Sequence, residues 1–440
     1  MTITIKGLSE EDVLAISDFY GEPEWLRDRR QEAFKAFADL EWPSSRDEEW
    51  RYTNPSRLHL ERPVLLEAAA VPARQEGIVA GAAGVPAGEV RIVDGGVAQA
   101  MVADEAAAQG VIVTDLVTAA HQHAALVQTH LATVVGADVK FEAANLAAFT
   151  NGAFVYVPAD VELAEPIAIT VQAAGDGTVL PRVLIVLGPH AKANFYVDHS
   201  GDAQATVVEV VEVVVAEGAT ARIVNAQDWG PDVDHIAAHT GVVGSNADYR
   251  GLEVNLGGRT VYLRPDVRLD HPGGNGELLG VYFCDEGQQV EMRSLVHHNA
   301  SQTTSDLMYK GALQGDSRAT FYGTIRIEEH AKATASDETN RNLILTDKAR
   351  ADSIPVLEIL NSDVARCGHH SSVGQVDEIQ MFYLESRGIP REEAARLLVF
   401  GFFGEVTDRI QLPGVAEVIL AEVEREIRFG PTALMDQRRR

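Results

Sequence analysis

The amino-acid sequence predicts a mainly β protein, a parallel β-helix (a solenoid of stacked strands) flanked by α-helical regions. Between about residues 151 and 363, short runs of β-branched and aromatic residues alternate with Gly, Asn or Asp, and no helical pattern interrupts them. Parallel strands in a doubly wound α/β fold need crossover helices between them, so this stretch excludes that class.

An alanine that follows a turn recurs at an even spacing. Ala191, Ala219 and Ala247 are separated by two successive steps of 28 residues, and similar turns recur less regularly further on. Stacked rungs of a solenoid need the same small residue at the same corner, because each rung must close onto the next. An antiparallel sandwich is the alternative, but its strands would be joined by frequent hairpin turns. The spacing therefore favours the solenoid.

The segments before the solenoid have a different texture. In residues 24–40, apolar side chains recur near the helical period after Pro23, which predicts an amphipathic helix, and residues 117–135 are again helical in composition. Residues 66–89 are Ala, Gly, Pro and Val with few large side chains, as in a linker or loop. Residues 91–97 carry an Asp-Gly turn between apolar runs, which indicates a hairpin.

A helical pattern returns after residue 375. The first predicted helix ends at Gly388, Pro390 opens the second, and a third covers residues 415–427. The second helix carries a group of large apolar residues: Leu397, Phe400, Phe402 and Phe403. These side chains either pack on the end of the solenoid or contact a partner, and the sequence alone favours packing.

These textures divide the chain into four regions. We expect an N-terminal helical region at 1–65 and a linker with a small α/β region at 66–150. A β-helix core follows at 151–374 and a C-terminal helical domain at 375–440.

The composition excludes several classes of partner. The chain has 37 Lys and Arg against 65 Asp and Glu, a formal net charge of −28, which repels nucleic acid and anionic membrane surfaces. We find no signal-peptide pattern and no run of apolar residues long enough to span a bilayer. The two cysteines do not suit a disulfide scaffold. We therefore expect a soluble cytoplasmic protein.

Two familiar catalytic patterns are not met. The sequence contains no Gly-Lys pair, so we expect no nucleotide hydrolysis through a P-loop. His235 and His239 have the spacing of a zinc-protease pair, but Ile236 stands where the catalytic Glu belongs. Their strand context also lacks the helical geometry of such a site, so we expect no metal role for this pair.

One constellation suggests metal chemistry: Cys367 and His369, with His370 beside them. Residues two apart on a strand face the same side, and thiolate and imidazole ligands suit iron or zinc. Two such ligands do not complete a site, because tetrahedral metals take four donors. Either another chain completes the site, or these residues have a structural role.

Several blocks in order along the chain resemble the SufB/SufD family, the scaffold proteins of the SUF iron–sulfur cluster assembly machinery. The blocks are EWRYTN at 49–54, NGAFVYVP at 151–158, SDLMYKG at 305–311, SRATFYG at 317–323, TNRNLIL at 339–345 and FYLESRGI at 382–389. The resemblance implies a right-handed parallel β-helix between helical N- and C-terminal domains, in agreement with the textures above.

Within the family, the chain is similar to the SufD branch. SufB carries a functional cysteine on a late rung, where this chain has Asn340-Arg341-Asn342, and glutamates flank its late histidine, where Gly368 and His370 flank His369. In SufD proteins a Cys-x-His motif lies at the interface with SufB, and its histidine is implicated in building the nascent cluster.

The resemblance therefore implies that His369 and Cys367 are interface ligands for iron or a nascent cluster. The sequence before Cys367 departs from the common Asp-Asp-Val-Lys-Cys, and His370 replaces a usual glycine. His370 either adds a ligand or caps the rung, and both alternatives stay open.

The implied function is that of a non-catalytic scaffold subunit that pairs with a SufB paralogue and docks the ABC-type ATPase SufC. The family places the ATPase contact on the C-terminal helical domain, around Leu397, Phe400, Phe402 and Phe403. We expect no tightly bound cofactor, a transient iron or iron–sulfur cluster at the interface, and ATP bound by the partner ATPase.

Three alternatives accompany this interpretation. In the first, the chain acts alone as a homodimeric SufB-like scaffold, although the absence of cysteine at residues 340–342 argues against it. In the second, the isolated chain forms a homodimer, but its working partner is SufB. Less favoured is a β-helix carbohydrate-active enzyme, since we find no export signal and no groove of clustered carboxylates or Arg.

Overall fold

The computed structural model describes residues 3–67 and 77–427. Part of the predicted linker, residues 68–76, and the end of the predicted C-terminal domain, residues 428–440, lie outside the described residues.

The core is a parallel β-solenoid of about eight turns over residues 151–375, with helical regions before and after it, so the predicted fold class is confirmed. The strands before the regular turns are β1 (Gly88–Val93), β2 (Gly96–Val102), β3 (Ile112–Asp115), β4 (Asn151–Val157), β5 (Ile167–Gln172), β6 (Gly177–Val179) and β7 (Pro181–Leu187). The regular turns comprise β8 (Lys192–Gly201), β9 (Ala205–Val215), β10 (Thr220–Trp229), β11 (Asp234–Val243), β12 (Asp248–Asn255), β13 (Thr260–Leu269), β14 (Asn275–Cys284), β15 (Gln289–His298), β16 (Thr304–Leu313), β17 (Arg318–Ile327), β18 (Thr334–Ile344), β19 (Arg350–Ile359) and β20 (Val364–Gln375).

Alternate strands build two sheets that enclose the lumen, the packed interior of the solenoid. The first sheet has the order β2-β1-β5-β8-β10-β12-β14-β16-β18-β20, and the second runs from β19 through the odd-numbered strands to β7, β4 and β3. Side chains alternate between the lumen and the outer face of each sheet. Both faces are buried over most of the length, which explains the near-continuous apolar runs in the sequence.

The 28-residue spacing is the length of one turn of the solenoid. Lys192, Thr220 and Asp248 occupy one register position on β8, β10 and β12, and the buried alanines 191, 219 and 247 precede them. Later turns are longer, since Thr304 pairs with Asn275 and with Ala335. Longer turns account for the irregular spacing of the later alanines.

Most helices of the N-terminal region pack on the outer face of the second sheet. Its helices are α1 (Glu10–Tyr20), α2 (Glu24–Asp39), α3 (Asp104–Ala108), α4 (Leu116–Gln122), α5 (Ala124–His130) and α6 (Lys140–Ala148), with 3₁₀ turns at Glu48–Trp50, Pro55–Arg57 and Ala80–Ala83. Trp50 stacks on Tyr262 of β13 with ring centroids 4.1 Å apart. The predicted hairpin is present as β1 and β2, and β1 also pairs in parallel with β5.

The C-terminal helices are α7 (Glu378–Ser386), α8 (Arg391–Ile410) and α9 (Val415–Glu426). Gly388 separates α7 from α8 with φ of 86°, and Pro390 is the N-cap of α8, as the sequence predicts. Val399, Phe403 and Val406 of α8 pack in one buried cluster with residues from the outer face of the first sheet. The helices therefore cover the flank of the solenoid rather than its end.

The last rung of the solenoid is open. Along β20 every side chain is exposed or half-buried, and β19 is likewise half-buried, in contrast to the buried strands before them. Among the described strands, β20 pairs with β18 at one edge of the first sheet. No helix within the described residues is long and apolar enough to cross a membrane.

Candidate functional site

The three candidate ligands lie on β20, at the open end of the solenoid. Cys367 is half-buried and packs against the core of the lumen, while His369 and His370 are exposed. Cys367 and His369 point to one face of the strand, and His370 points to the other. The structure thus brings Cys367 and His369 together and directs His370 away from them.

The surroundings of Cys367 keep its thiol protonated. Burial, followed by the negative charges of Asp337 and Glu338, raises the pKa of the thiol above its usual value. Arg366, which precedes Cys367 in the chain, forms an ion pair with Asp337. A metal ion or a positive group from outside would therefore favour the thiolate.

Glu338 is a buried carboxyl that sequence reasoning missed. It occupies the register position of His369 on the neighbouring strand β18 and is fully buried. Neither carboxyl oxygen has a hydrogen-bond partner among the described residues, and burial raises its pKa to about 8. The signal was in the alternation of β18, which sends Ser336, Glu338 and Asn340 to the lumen.

Asn340 and Asn342 of β18 fall within a network of buried amides and phenols. Asn340 donates to the Tyr282 hydroxyl at 3.1 Å and to the Tyr309 carbonyl at 3.3 Å. The Tyr282 hydroxyl donates in turn to Asn342. These hydrogen bonds satisfy the amides inside the lumen. The two asparagines therefore have a structural role, and this part of β18 carries no thiol.

A second group of ligating side chains lies deeper in the lumen. We call it the imidazole–carboxylate cluster: His199 on β8, Glu209 on β9, and His235 and His239 on β11, all of them buried. Oε2 of Glu209 lies 2.7, 3.2 and 3.4 Å from Nε2 of His199, His235 and His239 respectively. Within residues 3–67 and 77–427, His199, Glu209 and His239 are the one group of three side chains placed to hold a metal ion together.

His235 and His239 lie on a strand, as the sequence indicates, but a strand does not by itself keep the two side chains apart. A spacing of four residues places two side chains on one face of a strand as well as on one face of a helix. Glu209 pairs in register with Ala237, which lies between the two histidines and exactly one 28-residue turn later. The repeat length, applied to this His-x-x-x-His pattern, was the signal that could have found the carboxylate.

The predicted docking residues of α8 face different ways. Phe403 is buried against the solenoid, Phe400 and Phe402 are partly buried in the same cluster, and Leu397 is 43 % exposed. Three apolar residues of α7 are more exposed, namely Ile379, Phe382 and Tyr383. The apolar surface at this end of the molecule is therefore formed mainly by α7 and by Leu397.

Comparison with known proteins identifies a protein family whose models match this chain. The model of the SufBD core domain, described as SUF system FeS cluster assembly, matches residues 169–402, and that of the SufBD N-terminal region matches residues 20–169. An iron–sulfur cluster assembly SufBD family protein of Mycobacterium leprae is 40 % identical over 287 residues, which cover 63 % of this chain and 73 % of that protein. One from Staphylococcus epidermidis is 27 % identical over 435 residues, covering 94 % and 92 % of the two chains.

Proposed function

The chain belongs to the SufBD family of SUF iron–sulfur cluster assembly proteins, and we propose that it is a SufD-like, non-catalytic scaffold subunit of that machinery. In this proposal it pairs with a SufB paralogue, docks the SufC ATPase and contributes ligands to a nascent cluster. With the family established, the carbohydrate-active alternative is set aside.

The observation that carries the proposal is the incomplete ligand set at the open rung. Cys367 and His369 share one face of the edge strand β20, and within the described residues they belong to no group of three metal ligands. An edge strand with free main-chain groups is a template for pairing with another chain. A partner that pairs with this edge would bring the missing ligands to the same place.

Two features support the SufD-like branch. Asn340 and Asn342 occupy the rung where SufB carries its functional cysteine, and both are engaged in hydrogen bonds within the lumen. His369 lies between Gly368 and His370 instead of between glutamates. The chain thus has Cys367 and His369 as a ligand pair for the interface, but it has no thiol at residues 340–342.

The role of the open rung follows from its chemistry. Iron arriving at the interface displaces the proton of the Cys367 thiol and binds the unprotonated nitrogen of His369. The iron and sulfide are cargo, and the partner supplies the remaining ligands. ATP-driven closure of the SufC subunits would rearrange the interface and expose these groups to incoming iron.

In this proposal the ATPase contacts the exposed apolar surface of α7 and α8. Ile379 and Phe382 are 78 % and 71 % exposed, values unusual for large apolar side chains on a folded helix. Leu397 of α8 extends this surface, whereas Phe403 supports it from below by packing on the solenoid.

A co-purification experiment tests the proposal. The tagged full chain is expressed with its genomic SufB and SufC partners, and the stoichiometry of what it retains is measured by mass spectrometry. Val373→Glu on β20 should remove SufB, and Ile379→Glu on α7 should remove SufC. The control is Met101→Glu on β2, at the opposite edge of the first sheet, where the side chain is as exposed as Val373 (46 %).

Retention of both partners by wild type and by Met101→Glu, with selective loss in the other two variants, is the expected result. If the tagged chain retains only its own copies, the homodimeric scaffold replaces the proposal.

A further inference from the structure

The imidazole–carboxylate cluster contains three buried polar atoms that have no hydrogen-bond partner among the described residues: Nε2 of His199, Nδ1 of His235 and Oε1 of Glu209. Nδ1 of His199 lies 3.1 Å from the carbonyl oxygen of Ala226, which can only accept, so this nitrogen carries a proton. Nε2 is then the ring nitrogen left for a metal ion, and it lies 2.7 Å from Oε2 of Glu209. Nε2 has no aligned hydrogen-bond partner among the described residues.

His239 repeats the pattern. Its Nδ1 lies 3.1 Å from both carboxylate oxygens of Glu253, so Nδ1 donates, and its Nε2 lies within hydrogen-bond distance of Oε2 of Glu209, at 3.4 Å. Asn225 donates to the same Glu253 at 2.8 Å and fixes its orientation. A histidine whose outer nitrogen donates to a carboxylate or a carbonyl, with its inner nitrogen free, is the usual arrangement around a bound metal.

The carboxylate charges of the cluster also favour a bound cation. Glu209 and Glu253 are buried carboxylates, and their ionised forms place two negative charges in the lumen. Burial alone would lower the pKa of His239, but Glu253 and Glu209 raise it to about 10, so a protonated His239 offsets part of this charge in the metal-free chain. One divalent cation in place of that proton would balance both carboxylates. It also relieves the convergence of three imidazoles on Oε2 of Glu209, whose Oε1 has no hydrogen-bond partner in the described part of the chain.

We propose that His199, Glu209 and His239 form a site for one divalent transition-metal ion inside the solenoid, with His235 beside the open coordination position. The ligand atoms of the three residues lie within 4.8 Å of one another, and ligands held at about 2.0–2.1 Å from one ion lie about 3 Å apart. Two imidazoles and one carboxylate suit Fe²⁺ or Zn²⁺, whereas Mg²⁺ and Ca²⁺ prefer oxygen ligands.

An acidic cavity of about 440 Å³ lies beside the closed site, with Trp229 between them. Its lining includes Asp202, Asp228, Asp285, Glu286, Glu422 and Glu426, against one positive charge among the described lining residues, Arg425. Trp229 also lines the cavity, and its ring lies 5.8 Å from that of His199 and 5.6 Å from that of His235. The field of this cavity concentrates cations on the far side of the Trp229 ring from the imidazoles.

The site stands on this chain's own geometry and needs neither SufB nor SufC. It is also separate from the open rung, because the cluster lies on β8, β9 and β11, whereas Cys367 and His369 lie on β20. The two proposals are therefore independent, and failure of either one leaves the other intact.

The test is metal binding by the full-length chain alone. Because the site is closed, the protein is expressed in medium supplemented with Co²⁺, purified by gel filtration and analysed by elemental mass spectrometry and visible absorption. We expect one Co²⁺ per wild-type chain with a nitrogen and oxygen ligand spectrum, displaced by Zn²⁺ or by anaerobic Fe²⁺. Glu209→Gln and His239→Gln should lower the affinity by more than about 100-fold.

Three controls make the result decisive. His298→Gln removes another buried lumen histidine, and Cys367→Ala and His369→Ala remove the ligands of the open rung; all three should keep one Co²⁺ per chain. If the cluster variants do not fold, X-ray absorption of the wild type still decides, since imidazole scattering without sulfur is expected. A wild-type chain without metal, or cluster variants that bind like wild type, would show that protons alone hold the cluster.

Discussion

Glu338 on β18 and His369 on β20 occupy the same register position on neighbouring strands, so a buried carboxyl lies beneath an exposed imidazole at the open end of the lumen. Cys367 is set on the same face one step earlier, next to Ser336. The last rung therefore presents a thiol and an imidazole above a buried carboxyl, and no further rung covers them within residues 3–67 and 77–427. The predictions below test the chemistry and the packing of this arrangement.

The reactivity of Cys367 should depend on Asp337. Its negative charge is one of the causes that raise the pKa of the thiol, and Asp337→Asn also frees Arg366 from its ion pair. We expect alkylation by iodoacetamide at pH 8 to be about 3- to 10-fold faster in this variant. Peptide mass spectrometry measures the rate at Cys367, with Cys284 as an internal reference, because burial raises the pKa of Cys284 to about 12. Equal alkylation rates in wild type and Asp337→Asn would contradict the claim that the charge of Asp337 raises the pKa of this thiol.

The lumen beneath the last rung requires glycine at position 323. A Cβ there would overlap the carboxyl of Glu338 and the ring of Phe321. We expect Gly323→Ala to lower the free energy of unfolding by about 1–3 kcal/mol, measured by urea denaturation. Gly374→Ala on β20 is the matched control, since its Cβ would meet no atom within 4 Å. Adding Glu338→Ala should restore part of the loss; no restoration would contradict the proposed contact.

Stability at acid pH should depend on His298. Burial, followed by the charge of His297, lowers the pKa of His298 to about 4, and its nitrogens lie 2.7 Å from Thr303 Oγ1 and 2.9 Å from Ser305 Oγ. The folded state binds the proton less readily than the unfolded chain, so stability is full above about pH 6.5 and falls as the pH drops towards 4. Over this pH range the free energy of unfolding should fall by about 2–3 kcal/mol less in His298→Gln than in wild type.

The pH series of urea denaturation curves that measures this effect needs a second histidine variant. His121→Gln changes an exposed histidine on α4 and should keep the wild-type slope. Equal slopes in wild type and His298→Gln would show that His298 is not buried in its neutral form.

Local patterns in the sequence were sufficient for the architecture. The three alanines at 191, 219 and 247 predicted the turn length because a solenoid repeats its corners in sequence. Gly388 and Pro390 marked the helix boundaries because they act through the backbone of one or two residues.

What the sequence could not supply was the direction of each side chain in three dimensions. Phe403 appeared equivalent to Leu397, yet one packs on the outer face of the solenoid and the other is exposed. Glu209 is 30 residues from His239, and only the stacking of β9 on β11 brings their side chains together. Contacts of this kind depend on register, which becomes visible once the turn length is applied to every strand.

The most direct test of the proposed function is the iron and acid-labile sulfide content of the complex of this chain with its SufB and SufC partners, assembled anaerobically. His369→Ala is compared with His370→Ala, its neighbour on the opposite face of β20. We expect His369→Ala to lose the cluster while the subunit stoichiometry stays intact, and His370→Ala to retain most of it. A full cluster content in His369→Ala, or a complex that falls apart on this substitution, would contradict a ligand role for His369 at the subunit interface.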